Sequence, residues 1–191
     1  RAQGVKAVVI ACNTATSAAA EILREHLDLP IVGMEPALKP AQTHHASGKI
    51  AVMATPATLR QKKFLQLMEK YGRDAVALPC PGLMEFAERG EIDSPALDAL
   101  LKKLLSPLAG EAVESAVLGC THYVFLRRAI LKALPGAVLY DGNEGTARRL
   151  ANLLAERDLL NPQPSGRVAF ETSGDEAVFL PRMRRLYEMK L

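Results

Sequence analysis

The 191-residue sequence has no apolar run approaching bilayer length, no low-complexity stretch and no basic stripe. The first absence excludes a membrane-spanning helix. The second, with 49% hydrophobic and 24% charged residues, excludes a disordered chain and fits a globular protein with an ordinary core. The third argues against a nucleic-acid partner. The net charge is only +3, and the basic residues are scattered apart from Arg182, Arg184 and Arg185, a cluster read as a solvated helix face. Cysteine is scarce as well. Its three residues are odd in number and lack the short paired spacing of a structural zinc module, which argues for a reducing, cytoplasmic setting and no metal. The stretch from Arg1 to Ala20 has a basic start and an apolar segment, but that segment is too short for a secretory signal and runs straight into Asn13-Thr14.

What the sequence does have is a matched pair of cysteine segments. Val8-Val9-Ile10-Ala11-Cys12-Asn13-Thr14 and Ala116-Val117-Leu118-Gly119-Cys120-Thr121-His122-Tyr123 each pass from a strand-like run into a helix-like one. The carboxyl end of a strand meeting the amino end of a helix is where open α/β proteins place ligands, because free backbone N–H groups and the helix dipole stabilise anions there. A cysteine acts as a base or nucleophile only as thiolate, and its reference pKa of roughly 8.5 falls at a helix amino end. Asn13, Thr14 and Thr121 are suited to capping those helices or to holding a carboxylate.

The same unit recurs along the chain. Strands are predicted at Val5 to Ala11, Ile31 to Met34, Lys49 to Met53, Ala75 to Leu78, up to Leu118, Ala137 to Tyr140 and Val168 to Glu171. Helices are predicted from Thr14 to Leu27, after Thr58 to about Tyr71, from Leu83 to Arg89 with Gly90 closing it, and from Pro95 to about Leu105. Further helices are predicted from Tyr123 to Leu134, from Glu144 to about Arg157, and to Lys190 from a capping box at Ser173 and Glu176. Alternating strands and helices imply an α/β fold with mostly parallel sheets. The paired cysteine segments suggest two pseudo-symmetric lobes facing one another across a cleft. One lobe would comprise residues 1–36 and 142–191, the other residues 37–141. Cys80, between two prolines, reads as structural, and His44 and His45 as surface residues.

These motifs resemble those of glutamate racemase, in the cofactor-independent amino-acid racemase superfamily. The resemblance rests on Ala11-Cys12-Asn13-Thr14-Ala15 and Gly119-Cys120-Thr121-His122-Tyr123, with Gly33-Met34-Glu35-Pro36-Ala37, Ala54-Thr55-Pro56-Ala57-Thr58, Cys80-Pro81 leading to Glu88, and Thr172-Ser173-Gly174-Asp175. The chain departs from the family pattern at Val124, where proline is usual, and at Ala54, where glycine is common. It also lacks the Asp-Ser-Gly and Tyr-Gly-Thr loops with which the family begins, so the expectation is that a leading segment is missing.

The resemblance implies interconversion of L- and D-glutamate without a cofactor, supplying D-glutamate for peptidoglycan, by a homodimer. Cys12 and Cys120 would stand on opposite faces of the substrate α-carbon, Cys12 acting on D-glutamate and Cys120 on L-glutamate. His122 and Glu88 would assist proton transfer, and Asn13, Thr14, Thr55, Thr58 and Thr121 would contact substrate. Three other readings stay open at this stage. One is a racemase of aspartate or another amino acid. Another is a redox or metal-binding protein using Cys12, Cys120 and His122. The last is a non-catalytic remnant that folds but exchanges no α-proton.

Overall fold

The structure is a computed structural model, and it describes residues 4–163 and 166–189. Arg1 and Lys190, the outer limits of the predicted opening segment and last helix, lie outside the described residues. Six strands are described: β1 Val8–Ile10, β2 Ile31–Gly33, β3 Lys49–Ala54, β4 Ala75–Pro79, β5 Val113–Leu118 and β6 Val138–Tyr140. Nine α-helices accompany them: α1 Asn13–His26, α2 Leu38–Thr43, α3 Pro56–Leu59, α4 Lys62–Tyr71, α5 Leu83–Arg89, α6 Pro95–Leu104, α7 Arg127–Ala133, α8 Asn143–Glu156 and α9 Glu176–Glu188. The strands form a two-stranded parallel sheet, β1-β2, and a four-stranded parallel sheet in the order β4-β3-β5-β6. The architecture is α/β, parallel sheets flanked by helices.

Strands β3 and β5 lie centrally in the larger sheet, and their sequences, Lys-Ile-Ala-Val-Met-Ala and Val-Glu-Ser-Ala-Val-Leu, are nearly continuous apolar runs at their carboxyl halves. The two-residue period divides them between two cores. Ala51, Met53, Ala116 and Leu118 face one cluster, against Leu83, Leu97, Leu101 and Tyr123, whereas Ile50, Val52 and Val117 face the other, against Leu38 and Phe64. The chain moves outward from β3 to β4 on one side and from β5 to β6 on the other. The crevice at the carboxyl ends of β3 and β5 is therefore the topological switch point, the place where sheets of this kind bind ligands.

Several predicted elements need correction. Strand β1 is three residues long rather than seven, because only Val8 to Ile10 finds a partner, in β2. Cys120 is followed first by a 3₁₀ segment, Thr121–Leu126, and only then by α7. Tyr123 and Leu126 are both fully buried, and the three-residue repeat of a 3₁₀ turn brings them to one side. The strand predicted at Val168 to Glu171 does not form. No neighbouring strand offers it a ladder among the described residues, and Phe170 instead packs edge-on against Tyr187 of α9 at 5.5 Å. That helix is capped by Asp175, whose Oδ1 accepts the Ala177 N–H at 2.9 Å, not by a Ser173–Glu176 box. His45 is not a surface residue: its side chain is 4% exposed and sits between Glu114 at 2.6 Å and Asp74 at 3.5 Å. His44 stays exposed, stacked on Tyr140.

Candidate active site

Cys12 and Cys120 occupy equivalent local positions. Each is the N-cap residue of the segment that follows, with extended backbone (φ −155°, ψ 123° and φ −135°, ψ 135°), so each thiol stands where the strand direction ends and unpaired backbone N–H groups begin. They differ in surroundings: Cys12 is exposed and Cys120 is buried. The two loops are tied together by Asn13, whose Nδ2 donates to the Gly119 carbonyl at 2.7 Å across 106 residues of sequence. Asn13 is 6% exposed, and its Oδ1 is a buried acceptor without a partner. Gly119 is required by the close approach of β5 to β3. Its N–H donates to Met53 at 2.7 Å, and a Cβ would lie 2.8 Å from the same carbonyl oxygen and 2.9 Å from Ala54 Cβ.

The threonines predicted as substrate contacts gather at the end of β3. Thr55 caps α3 by accepting the Thr58 N–H at 3.2 Å, and the Thr58 hydroxyl bonds both Thr55 at 3.0 Å and Thr14 at 2.9 Å. A continuous hydroxyl chain thus joins the start of α1 to the start of α3. Gln61, which the motifs did not single out, reinforces it by donating to the Thr14 carbonyl at 3.2 Å. Thr121 is half-buried and opens the turn after Cys120.

On the other side of Cys120 lies a polar relay. Cys120 Sγ is 3.7 Å from His122 Nδ1, and His122 Nε2 is 2.9 Å from Glu88 Oε1. Burial pushes the Glu88 carboxyl up, but hydrogen bonds from His122 and Arg182 outweigh it and hold the group below the usual carboxylate range. An ionised Glu88 only accepts, so His122 Nε2 carries the proton and Nδ1 is free to accept the Cys120 S–H. The Cys120 thiol is pushed up to about 11, chiefly by burial. The backbone N–H of His122 works against that rise, and the nearby Cys12 adds to it. Glu88 bonds Arg182 through its second oxygen, and Arg185 Nη2 donates to the Glu88 main-chain carbonyl at 2.8 Å. The arginine cluster is therefore not simply a solvated face. Arg182 and Arg185 bond α5, whereas Arg184 is exposed and makes no such contact.

Cys80 is 2% exposed in the core, donates to Leu78 at 3.3 Å and is pushed up to about 12 by burial, all features of an inert thiol. Among the described residues, no group of three or more His, Cys, Asp or Glu side chains is placed to hold a metal ion, and no helix is long and apolar enough to cross a membrane.

Residues 1–150 match the family described as Asp/Glu/Hydantoin racemase, which makes the protein a racemase by class. Within that class the chain belongs to the glutamate racemases. It is 44% identical to the glutamate racemase of Clostridium perfringens over 98% of this chain and 74% of that protein. Its fold superposes on the crystal structure of Thermus thermophilus glutamate racemase in complex with beta-chloro-D-alanine, with a TM-score of 0.82 and 37% identity, covering 98% of this chain and 70% of that one. The Escherichia coli glutamate racemase, solved with L-glutamate and the activator UDP-MurNAc-ala, gives 0.76 at 28% identity, covering 96% and 71%.

Proposed function

We propose that the chain interconverts L- and D-glutamate by proton transfer at the α-carbon between Cys12 and Cys120, with no cofactor. The observation that carries this reading is the Asn13–Gly119 hydrogen bond, which fastens the two cysteine loops to one another although they come from different sheets. The L-glutamate in the E. coli relative's crystal structure supports the choice of substrate.

In the step from D-glutamate, the Cys12 thiolate takes the α-proton and the C–H electron pair passes into the substrate carboxylate. The Cys120 thiol then protonates the opposite face, leaving L-glutamate, a Cys12 thiol and a Cys120 thiolate. The reverse reaction runs from the complementary protonation state. A Cys120 thiol raised to about 11 starts as the acid, ready for D-glutamate. Turnover of L-glutamate requires it to give its proton to His122 first, and the Glu88 carboxylate stabilises the imidazolium that results. Because the α-proton is weakly acidic, the carbanion-like state needs preorganised donors. The backbone N–H groups after each cysteine, the Thr121 hydroxyl and the one hydroxyl proton left over at an end of the Thr14–Thr58–Thr55 chain fill that role, with the buried Thr58 holding its two neighbours in place. The unpaired Asn13 Oδ1 is an acceptor for the substrate ammonium.

Division into lobes of residues 1–36 with 142–191 and residues 37–141 places the substrate between the two sheets. A homodimer, a cytoplasmic location and supply of D-glutamate to peptidoglycan complete the reading.

The test is proton NMR of L-glutamate, D-glutamate and L-aspartate in deuterated buffer, following α-proton loss and chirality together. Exchange with inversion for glutamate, lost in Cys12→Ser and in Cys120→Ser, is the expected result. A folded chain that exchanges no α-proton, or inverts aspartate in preference, overturns the assignment.

A further inference from the structure

The last helix reaches the relay beside Cys120 from outside it. Arg182 and Arg185 are three residues apart, so they share a face of α9, and both address Glu88. Arg182 bonds one carboxylate oxygen while His122 takes the other, and Arg185 holds the main-chain carbonyl at the end of α5. Gly90 makes room for this grip. It closes α5 with φ 74°, and a Cβ there would lie 3.0 Å from the Arg185 guanidinium carbon. As a stability device an ion pair this open to solvent is worth little. As a geometric device it matters more, because a carboxylate bonded through both oxygens has its plane fixed.

We propose that Arg182 is a positioning residue for the Cys120 half of the reaction. By holding one oxygen of Glu88 it presents the other to His122 Nε2, which keeps the proton on that nitrogen and leaves Nδ1 as the acceptor facing the Cys120 thiol. Without Arg182 the Glu88 carboxylate swings free, His122 loses its fixed tautomer, and proton transfer at Cys120 slows while that at Cys12 does not. The kinetic consequence rests on the glutamate racemase reading, whereas the tautomer at His122 follows from the geometry alone.

The experiment compares Arg182→Gln, Arg182→Lys and, as control, Arg184→Gln in the full chain, each checked for native circular dichroism. Two enantiomers have equal free energy, so kcat/KM falls by the same factor in both directions, and the side affected is read from substrate isotope effects. For Arg182→Gln the expected loss is about tenfold, a fraction of the 10²–10⁴-fold that general acid–base groups supply. The primary deuterium effect is expected to rise with L-glutamate deuterated at the α-carbon and to fall with the D enantiomer. Arg182→Lys, which keeps a cation in reach, recovers part of the loss, and Arg184→Gln matches the unmodified chain.

Nitrogen-15 NMR of the His122 ring supplies a readout that needs no turnover. The unmodified chain is expected to show the Nε2–H tautomer, and Arg182→Gln a mixture of tautomers. An Arg182→Gln chain that keeps both the tautomer and the isotope effects of the unmodified chain overturns the proposal. Should the unmodified chain fail to racemise glutamate, the functional reading falls and the tautomer comparison alone decides the role of Arg182. If Arg182→Gln does not fold, Arg182→Lys carries the same comparison, and a full native tautomer with unchanged isotope effects for Arg184→Gln but a shifted one for Arg182→Lys supports the proposal.

Discussion

Burial separates the two catalytic candidates more than their sequence contexts do. Cys120 and Cys80 are buried thiols raised to about 11 and about 12, so the folded chain holds two protons that the unfolded chain releases near pH 9. Below that pH both states are protonated and the thiols add no pH dependence. Above it the unfolded state loses protons first, and stability is expected to fall as pH rises toward 11, by about 1.4 kcal/mol per pH unit for each thiol. Urea unfolding at pH 8, 9 and 10 checks this, and Cys120→Ser is expected to remove about half of the slope. Asn13 offers a second residue-scale outcome. Asn13→Ala leaves the Gly119 carbonyl buried without its donor, expected to cost about 1 to 3 kcal/mol and to weaken substrate binding, read from the urea midpoint and KM. The cysteines, Asn13 and the threonines could be singled out as candidates because each lies in a short motif whose chemistry can be stated locally, whereas Glu88 was singled out only through the family resemblance. Arg182 was not, since its partner is 94 residues away and nothing in a run of exposed-looking arginines identifies which one turns inward.

Elements that carry their own start and stop signals matched expectation best. Helix α5 runs from Leu83 to Arg89 and closes at Gly90 as predicted, and α6 opens at Pro95 beneath the Ser94 cap, whose Oγ accepts the Leu97 N–H at 3.2 Å. Ser94→Ala is expected to lower stability by about 1 kcal/mol without changing turnover, measured by urea unfolding beside steady-state kinetics. Strand ends were less legible because pairing decides them. Val5 to Ala11 and Val168 to Glu171 have strand-like composition, yet ladders form only where a neighbour lies alongside. Gly119 shows the reverse case, a position whose meaning emerges only from the sheet. Gly119→Ala drives a methyl into the Met53 carbonyl and Ala54, expected to cost about 1 to 3 kcal/mol and to displace Cys120 from His122. Loss of racemisation exceeding the loss of stability, measured on the folded fraction, is the expected pattern.

The two sheets differ sharply in how much core supports them. Both hydrophobic clusters are built from residues between Ala37 and Tyr140, around β3 and β5. Helix α8, which packs on β2, buries no residue fully, and its Leu150, Leu153 and Leu154 are only half-buried. Val5, Val9, Ile22, Leu160 and Val178 are exposed. A two-stranded ladder with so little covering opens at low cost, whereas the central strands open only with global unfolding. Hydrogen exchange followed by mass spectrometry is therefore expected to show Ile50 to Ala54 and Ser115 to Leu118 protected longest, and Val8 to Ile10 with Ile31 to Gly33 exchanging well before them. If glutamate binds between the cysteine loops as proposed, it is expected to slow exchange at Asn13 to Thr16 and at Thr121 to Tyr123 together, because the Asn13–Gly119 bond joins them. Equal protection of the two sheets would contradict the asymmetry, and protection gained at one loop alone would contradict a site shared by both thiols.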